Sequence, residues 1–523
     1  MIFKTEFFSR QSAATKHGVS HRFHSSRCLV VWLLLIGCTA LQGQEKDTLS
    51  VEVAAGVVGS TENDFLPLYL VGQQWGAVQE DQNVFLEGGL SYKTQLTKQL
   101  NFASGFSFRN DLLISHYVQL QHELIYLSIG RTRRGIGGTE NSLSSGSMAI
   151  SNNARPIPMI ELVVPEYINV PFTGGYFKTK GHWGHGWLQN DRHISNAQLH
   201  SKSFYLMLDL TKELGWTASS GVVHFAQFGG TSPNGEVQPS SFSDYLRVIR
   251  GAGIPNPNGT TAGESNAVGN HLGIIETTVT KTLGKHKLII NYQKPFEDEG
   301  GIQYVSLTDY LFGLEWQFPK EGKFLRRVYI EYIQTKWQGG PGLPDPNEIE
   351  GIVTEQDNLG YPFGGRDDTY NNWIYQDGWT NNAMVLGNPL FLTHERTLNF
   401  FGPYPDYAVA IANNRLRAVH LGLEAQTSSD WKLKGLFTYS SNFGTYAGLY
   451  NGRFQWDGVA VDTDYQYVFR PAQDQFYSAL DVEKDQLWND KPWGLRLRLA
   501  LDAGDLYSSF GAEVSLRYRM HTN

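Results

Sequence analysis

Two short stretches concentrate side chains that could hold a polar, ring-shaped ligand. Trp183, Trp187, Asn190, Asp191 and Arg192 fall within ten residues, and Asn371, Asn372, Trp373, Tyr375, Asp377 and Trp379 within nine. Indole and phenol faces stack on the C–H face of a sugar, while amides, carboxylates and guanidinium take directed hydrogen bonds from its hydroxyls. The same residues could instead fill a lumen or fix loop geometry. In and beside the first stretch the chain also offers His182, His185 and His193. Their spacing matches no established zinc pattern, so no metal or other cofactor is expected. Asp367, Asp368, Asp377 and Glu395 supply carboxylates that a glycoside hydrolase would need as a spaced pair. A Gly-x-Ser-x-Gly elbow is missing, and catalysis is not the expectation.

The elements that must position these residues are strands. Leu495, Leu497, Leu499 and Leu501 alternate with Arg496, Arg498, Ala500 and Asp502. Val514, Leu516, Tyr518 and Met520 alternate with Glu513, Ser515, Arg517 and Arg519. Successive side chains of a strand face opposite sides, so each segment has one apolar face and one charged face suited to a watery lumen. The period recurs in 204–210, 275–280, 288–293 and 328–333. Further strands are expected at Val84–Leu96, Leu100–Arg109, Val118–Gly130, Gly221–Phe228, Tyr310–Phe318, Leu416–Ala425, Leu433–Ser440, Arg453–Val459 and Gln475–Val482. More than a dozen strands without an intervening amphipathic helix point to a large all-β transmembrane antiparallel barrel. Gly (55), Tyr (26), Phe (29) and Trp (13) are abundant, as a wall with aromatic girdles would have them. Tyr292, Trp316, Phe318, Tyr332, Trp337, Tyr439 and Tyr518 are the girdle candidates.

Residues 1–43 read as a signal peptide and 44–523 as the barrel. Lys4, Arg10, Lys16, Arg22 and Arg27 precede a short apolar run, Leu29–Gly37, with a cut expected after Gly43. Leu35–Cys38 has the competing form of a lipoprotein box. Both cysteines, Cys28 and Cys38, lie in this leader, so disulfides and cysteine chemistry are not expected beyond it. The net charge of −8 argues against nucleic acid as a partner. Long Gly/Pro/Ser/Asn-rich stretches at Gly229–Asn270 and Gly339–Gly365 are expected outside the membrane plane, and Arg131–Asn153 is a candidate to enter the lumen.

Several ordered blocks resemble the Wzi family of capsule-assembly proteins. They are Ser142–Met148, Asn153–Pro158, Pro171–Leu210, Tyr370–Thr380, Leu386–Leu390 and Asn413–Arg417, spanning roughly Ser142 to His420. The resemblance implies an outer-membrane barrel of 18 strands whose lumen is partly plugged by loops or short helices. It implies a lectin-like role on capsular or secreted polysaccharide, with outer-membrane lipid and the barrel-insertion machinery as further partners. A diffusion porin, with Arg496, Arg498, Arg517 and Arg519 tuning selectivity, is the alternative.

Overall fold

The computed structural model describes residues 47–62, 65–80, 83–135, 141–254, 267–297, 308–319, 324–338, 368–402, 410–450, 467–488 and 491–522. The leader, both cysteines, Asp367, the stretch Gly339–Gly365 and the strand expected at Arg453–Val459 lie outside the described residues.

Eighteen strands form one antiparallel sheet that closes on itself. They run as β1 (Thr48–Ser60), β2 (Val84–Gln95), β3 (Leu100–Arg109), β4 (Leu112–His122), β5 (Ile125–Arg131) and β6 (Met159–Asn169). Next come β7 (Phe177–Trp187), β8 (Gln198–Leu210), β9 (Trp216–Phe228), β10 (Asn270–Leu283), β11 (His286–Phe296), β12 (Tyr310–Gln317) and β13 (Leu325–Gln334). A long insertion carries four short strands, β14 (Thr380–Asn381), β15 (Met384–Val385), β16 (Leu392–Thr393) and β17 (Ile411–Asn413). The wall then resumes with β18 (Leu416–Gln426), β19 (Lys432–Asn442), β20 (Gln473–Lys484), β21 (Trp493–Gly504) and β22 (Ser509–Thr522). Each wall strand pairs with its neighbour in sequence, and β1 pairs with β22 from Leu49↔Thr522 to Ser60↔Gly511. Closure leaves no edge strand, so the wall's backbone groups are satisfied without water.

The alternation read from sequence fixes the faces. Leu501, Val514, Leu516, Phe204, Leu206 and Ile330 are exposed on the outside, while Arg498, Asp502, Glu513, Tyr205 and Glu331 are buried inside. Outward aromatics gather near the ends, with Trp493 edge-on to Tyr518 at 5.1 Å and Tyr292, Tyr310 and Tyr332 in a row. Three differences stand out. Val118–Gly130 is not one strand but the hairpin β4–β5, turning at Glu123, whose φ is 46°. β1, β6 and β7 escaped the period-two reading. In β6, Pro165 sits where the β6–β7 register shifts between Val164 and Ile168, so its missing N–H interrupts no regular ladder.

Connections at the end bearing Thr48 and Thr522 are short, such as Gly284–Lys285 between β10 and β11, whereas most at the opposite end are long, the β3–β4 and β21–β22 turns excepted. Several of the long ones fold into the lumen. Helices α1 (Leu68–Val71), α2 (Thr211–Leu214), α3 (Phe242–Arg250) and α4 (His394–Phe401) lie in the connections, and α1 with the segments 141–158, 188–197 and 368–393 shares one apolar cluster with inward wall residues such as Leu199, Phe225, Ile333 and Tyr477. The lumen is therefore not watery at this level: it holds a packed plug.

Two wall glycines make room for it. A Cβ on Gly422 would lie 2.3 Å from the Leu143 carbonyl oxygen, and one on Gly511 would lie 2.8 Å from Leu70 Cδ1. Gly422→Val leaves the outward face of β18 unchanged, so insertion is expected to proceed while the 141–150 segment is displaced. A several-fold rise in single-channel conductance in planar bilayers checks this, and unchanged conductance would reject the contact as a plug anchor.

Candidate functional site

The plug is three loops locked together by backbone-directed side chains. Gln73 donates to the Ser144 carbonyl at 2.8 Å, and the amides of Trp75 and Gly76 donate to Asn152 and Asn153 carbonyls. Asn388 donates to Ser145 Oγ and to the Gly146 carbonyl, Ser151 to the Gly387 carbonyl, and Asn153 to the Val385 carbonyl. Wall residues hold the assembly from below. Glu331 accepts from Ser144 Oγ (2.6 Å), the Ser145 amide (3.2 Å) and Tyr329 Oη (2.9 Å). Gln293 accepts from the Met148 amide, and His420 Nε2 bonds the Leu143 carbonyl. Irregular backbone buried in a lumen needs such partners, because each unpaired group costs on the order of 1–3 kcal/mol.

The two stretches singled out from sequence meet, but through their structural members. Arg192, buried, donates to the carbonyls of Thr380 (2.7 Å) and Gly378 (3.1 Å), and Asp377 accepts from the His193 amide at 2.7 Å. Burial holds the Arg192 guanidinium below its ordinary range, and Asp377 and Asp191 draw it partly back. Trp379 is 0% exposed and donates its indole N–H to the Ala149 carbonyl at 2.6 Å. Tyr375 is buried and donates to Gly229. Asn371 clamps Ile411 through both its amide atoms, and Asn372 caps Ile374 and Tyr375. Trp183 and Trp187 sit on β7 at positions that face out of the barrel, not into it. Trp373, at 61% exposure, Asn190 and Asp191 remain open to solvent at the long-loop end.

Among the plug's loops lies a cavity of about 500 Å³ that sequence reasoning did not find. Its wall combines Asn153 and Arg155, the β14–β15 turn at Asn382–Met384, Gln79 and Glu80, and the start of helix α4 (His394–Phe401) with Glu395, Arg396 and Asn399. Thr393 caps α4 by accepting from the Arg396 amide at 3.2 Å. Arg396 is committed: it pairs with Glu80 and donates to the Leu66 carbonyl (2.9 Å) and Tyr507 Oη (3.2 Å). Arg155 is not. Its Nε is buried without a partner, and its guanidinium makes no hydrogen bond among the described residues. The signal was present in the sequence, since Asn153, Arg155 and Glu395 had each been noted, but their convergence required the fold. Of the carboxylates weighed for hydrolysis, Asp377 is tied to the His193 amide, Asp368 accepts from Asn414 at 2.8 Å, and Glu395 lines the cavity.

A closed 18-stranded antiparallel wall with its lumen filled by its own loops defines a plugged outer-membrane β-barrel. The sequence pattern of the family described as capsule assembly protein Wzi matches residues 77–395, more than half the chain, and the chain belongs to that family. Among solved structures it is similar to Wzi of Escherichia coli, described as an outer membrane protein involved in group 1 capsule assembly and a carbohydrate-binding β-barrel. That likeness has a TM-score of 0.54 at 14% identity and covers 95% of this chain and 89% of that one. Two Pseudomonas aeruginosa barrels, OccK3 and OccK10, align at TM-scores of 0.43 and 0.44 with 12% and 9% identity. They cover 92% of this chain and 97% and 100% of theirs. No curated protein sequence matches.

Two outcomes test this site. Trp379→Ala is expected to loosen the plug by about 3–5 kcal/mol, the cost of a large core cavity, seen as faster hydrogen exchange over 141–155. Asp368, held up to about 6 by burial against the hydrogen bonds of Asn414 and Asn371, favours its protonated form in the folded plug. An acid with a raised folded pKa loses stability as pH rises from its unfolded value, about 4, to its folded one. Protection of segment 368–380 from protease should therefore fall between pH 4 and 6 and stay level above, and Asp368→Asn should flatten that slope.

Proposed function

We propose that this outer-membrane barrel is a lectin-like, non-catalytic protein that binds and organises exported capsular or secreted polysaccharide at the cell surface. The observation that carries the reading is the 500 Å³ cavity, lined by amides, carboxylates, apolar side chains and Arg155, whose Nε is buried without a hydrogen-bond partner, in a lumen filled by the plug. Transmembrane barrels set short turns toward the periplasm and long loops outside, and the cavity is built from those long loops. Family membership supports the capsule assignment. Trp373, Asn190 and Asp191, exposed at the same end, extend the surface along which a repeating chain makes many weak contacts.

The porin reading is weaker on two grounds. The plug occupies the lumen at the loop end. The arginines offered as selectivity groups are spent on partners: Arg496 on Asp481, Arg517 on Glu483 at 3.2 Å, Arg519 on Glu52 and Glu483, and Arg498 on the C-terminal carbonyls of α1.

The test is binding of folded protein to the polysaccharide purified from its own host. Arg155→Ala and Asn382→Ala are each expected to weaken binding about 10-fold, the value of one hydrogen bond involving a charged or well-placed group. Trp373→Ala should also weaken it. Saturable binding unaffected by all three would move the site elsewhere, and no binding by a correctly folded barrel would sink the lectin reading.

A further inference from the structure

On four adjacent strands the outward face of the wall departs from its aliphatic rule. Near the loop end, the lipid-side positions of β7 to β10 carry His185, His200, Lys202, His224 and His271 instead of aliphatics. His224 and His271 bond each other at 2.9 Å, and His271 bonds the Val268 carbonyl at 2.8 Å. Helix α3 (Phe242–Arg250), from the long β9–β10 connection, lies against this patch on the outside of the barrel. Tyr245 stacks on Phe228 at 5.5 Å, meets the rings of Trp183, His185 and His200, and shares a hydrogen bond with His200 Nδ1 at 3.3 Å. Val248 packs with Ala226, Phe228 and Val268, and Lys202 donates to the Ile249 carbonyl at the helix's end. Ser241 closes a capping box with Asp244, and Gly251 ends the helix in the left-handed conformation.

That contact uses one side of α3. The other side presents Phe242, 77% exposed, and Leu246, 41% exposed, with Arg250 beside them. An apolar stripe flanked by a cation on a short helix is the pattern of an interfacial helix. The stripe is continuous with the lipid-facing wall. One step toward the termini from Lys202 and from His224, the outward positions are Phe204 and Val222, both exposed and apolar. The polar patch therefore marks where hydrocarbon ends, and α3 sits at that level.

The geometry points to α3 as an in-plane lipid-docking helix. Phe242 and Leu246 enter the acyl boundary of the outer leaflet, and Arg250 meets a phosphorylated lipid headgroup, while the inner face shields the histidine patch from lipid. The occupant is lipid and not a second protein chain, because the exposed stripe continues a surface that is already lipid-facing.

The full chain, carrying p-benzoylphenylalanine at position 242, 246, 245 or 204 in turn, would be reconstituted into vesicles of bisphosphorylated lipid A and phosphatidylethanolamine and irradiated. Positions 242 and 246 should give lipid adducts, and position 245 adducts within the chain. Position 204, below the helix, should give lipid adducts throughout and so reports correct insertion. Arg250→Glu should lower the lipid A share of adducts at position 242 at least two-fold without changing that at 204. Adducts of 242 and 246 to another protein chain, no adducts there while 204 reacts, or a lipid A share indifferent to Arg250→Glu would each overturn the proposal. Glycan binding is not probed by this experiment, so its outcome is independent of the lectin reading.

Discussion

A closed barrel satisfies its own backbone, but a loop folded into its lumen does not, and the architecture turns on how the wall meets that need. Non-helical backbone survives at membrane depth only where protein supplies its partners. Here the wall supplies them from its inward, alternate positions. The single turn of α1 shows the principle. Asp502 accepts the Leu68 amide at 2.6 Å at the positive end of the turn, and Arg498, four residues away on the same face of β21, donates to the Tyr69 and Leu70 carbonyls at the negative end. A four-residue helix has little stability of its own, and matched charges at both ends hold it in place. Glu331, Gln293 and His420 do the same for 143–148. Charges that look from the strand pattern like the lining of a pore are in fact the plug's hydrogen-bonding frame.

This shifts where recognition can occur. Once the lumen is filled, the polar surface available to a ligand is the top of the plug, and its floor is as rigid as the wall beneath it. Arg396 touches the cavity with one part of its surface and Tyr507 with another, Tyr507 donates to Asp502 at 2.8 Å, and Asp502 holds α1. A cavity wall two hydrogen bonds from a barrel strand is held in place by the wall itself, and a surface fixed in that way spares a ligand the ordering cost that mobile loops would incur.

The wall was legible in the sequence because period two is a local property. Leu495–Asp502 and Glu513–Met520 declared both faces without any knowledge of their neighbours. The hairpin at Glu123 was missed because apolar alternation continues across its two-residue turn, where no Gly or Pro interrupts it. β7 was missed because three of its inward or wall positions are glycine, which blurs the pattern. The site was much less legible. Trp183 and Trp187 share a parity, but nothing in a single strand says which parity faces lipid. Trp379 and Trp373 lie six residues apart with similar neighbours, yet one is sealed and the other open, because the difference lies in Ala149, two hundred residues upstream. The blocks that resembled the family were informative about membership for the same reason they misled about the site. They carry the plug's long-range locks, such as Asn388 to Gly146 and Asn153 to Val385, and so record packing at least as much as recognition.

The outer surface carries the complementary lesson. A lipid-facing wall ordinarily excludes ionisable side chains, since their desolvation is costly. Five of them on adjacent strands would be a defect if bare to hydrocarbon. Covered by Tyr245, Val248 and the carbonyl end of α3, they become the polar partner of a helix whose other face is apolar. The two halves fit: the helix has an apolar stripe, Phe242 and Leu246, turned away from the wall, and the polar groups of the patch meet its other face. The same logic that seats α1 inside the barrel, polar wall groups offered to a short helix, seats α3 outside it, and the two helices differ chiefly in what meets their remaining face.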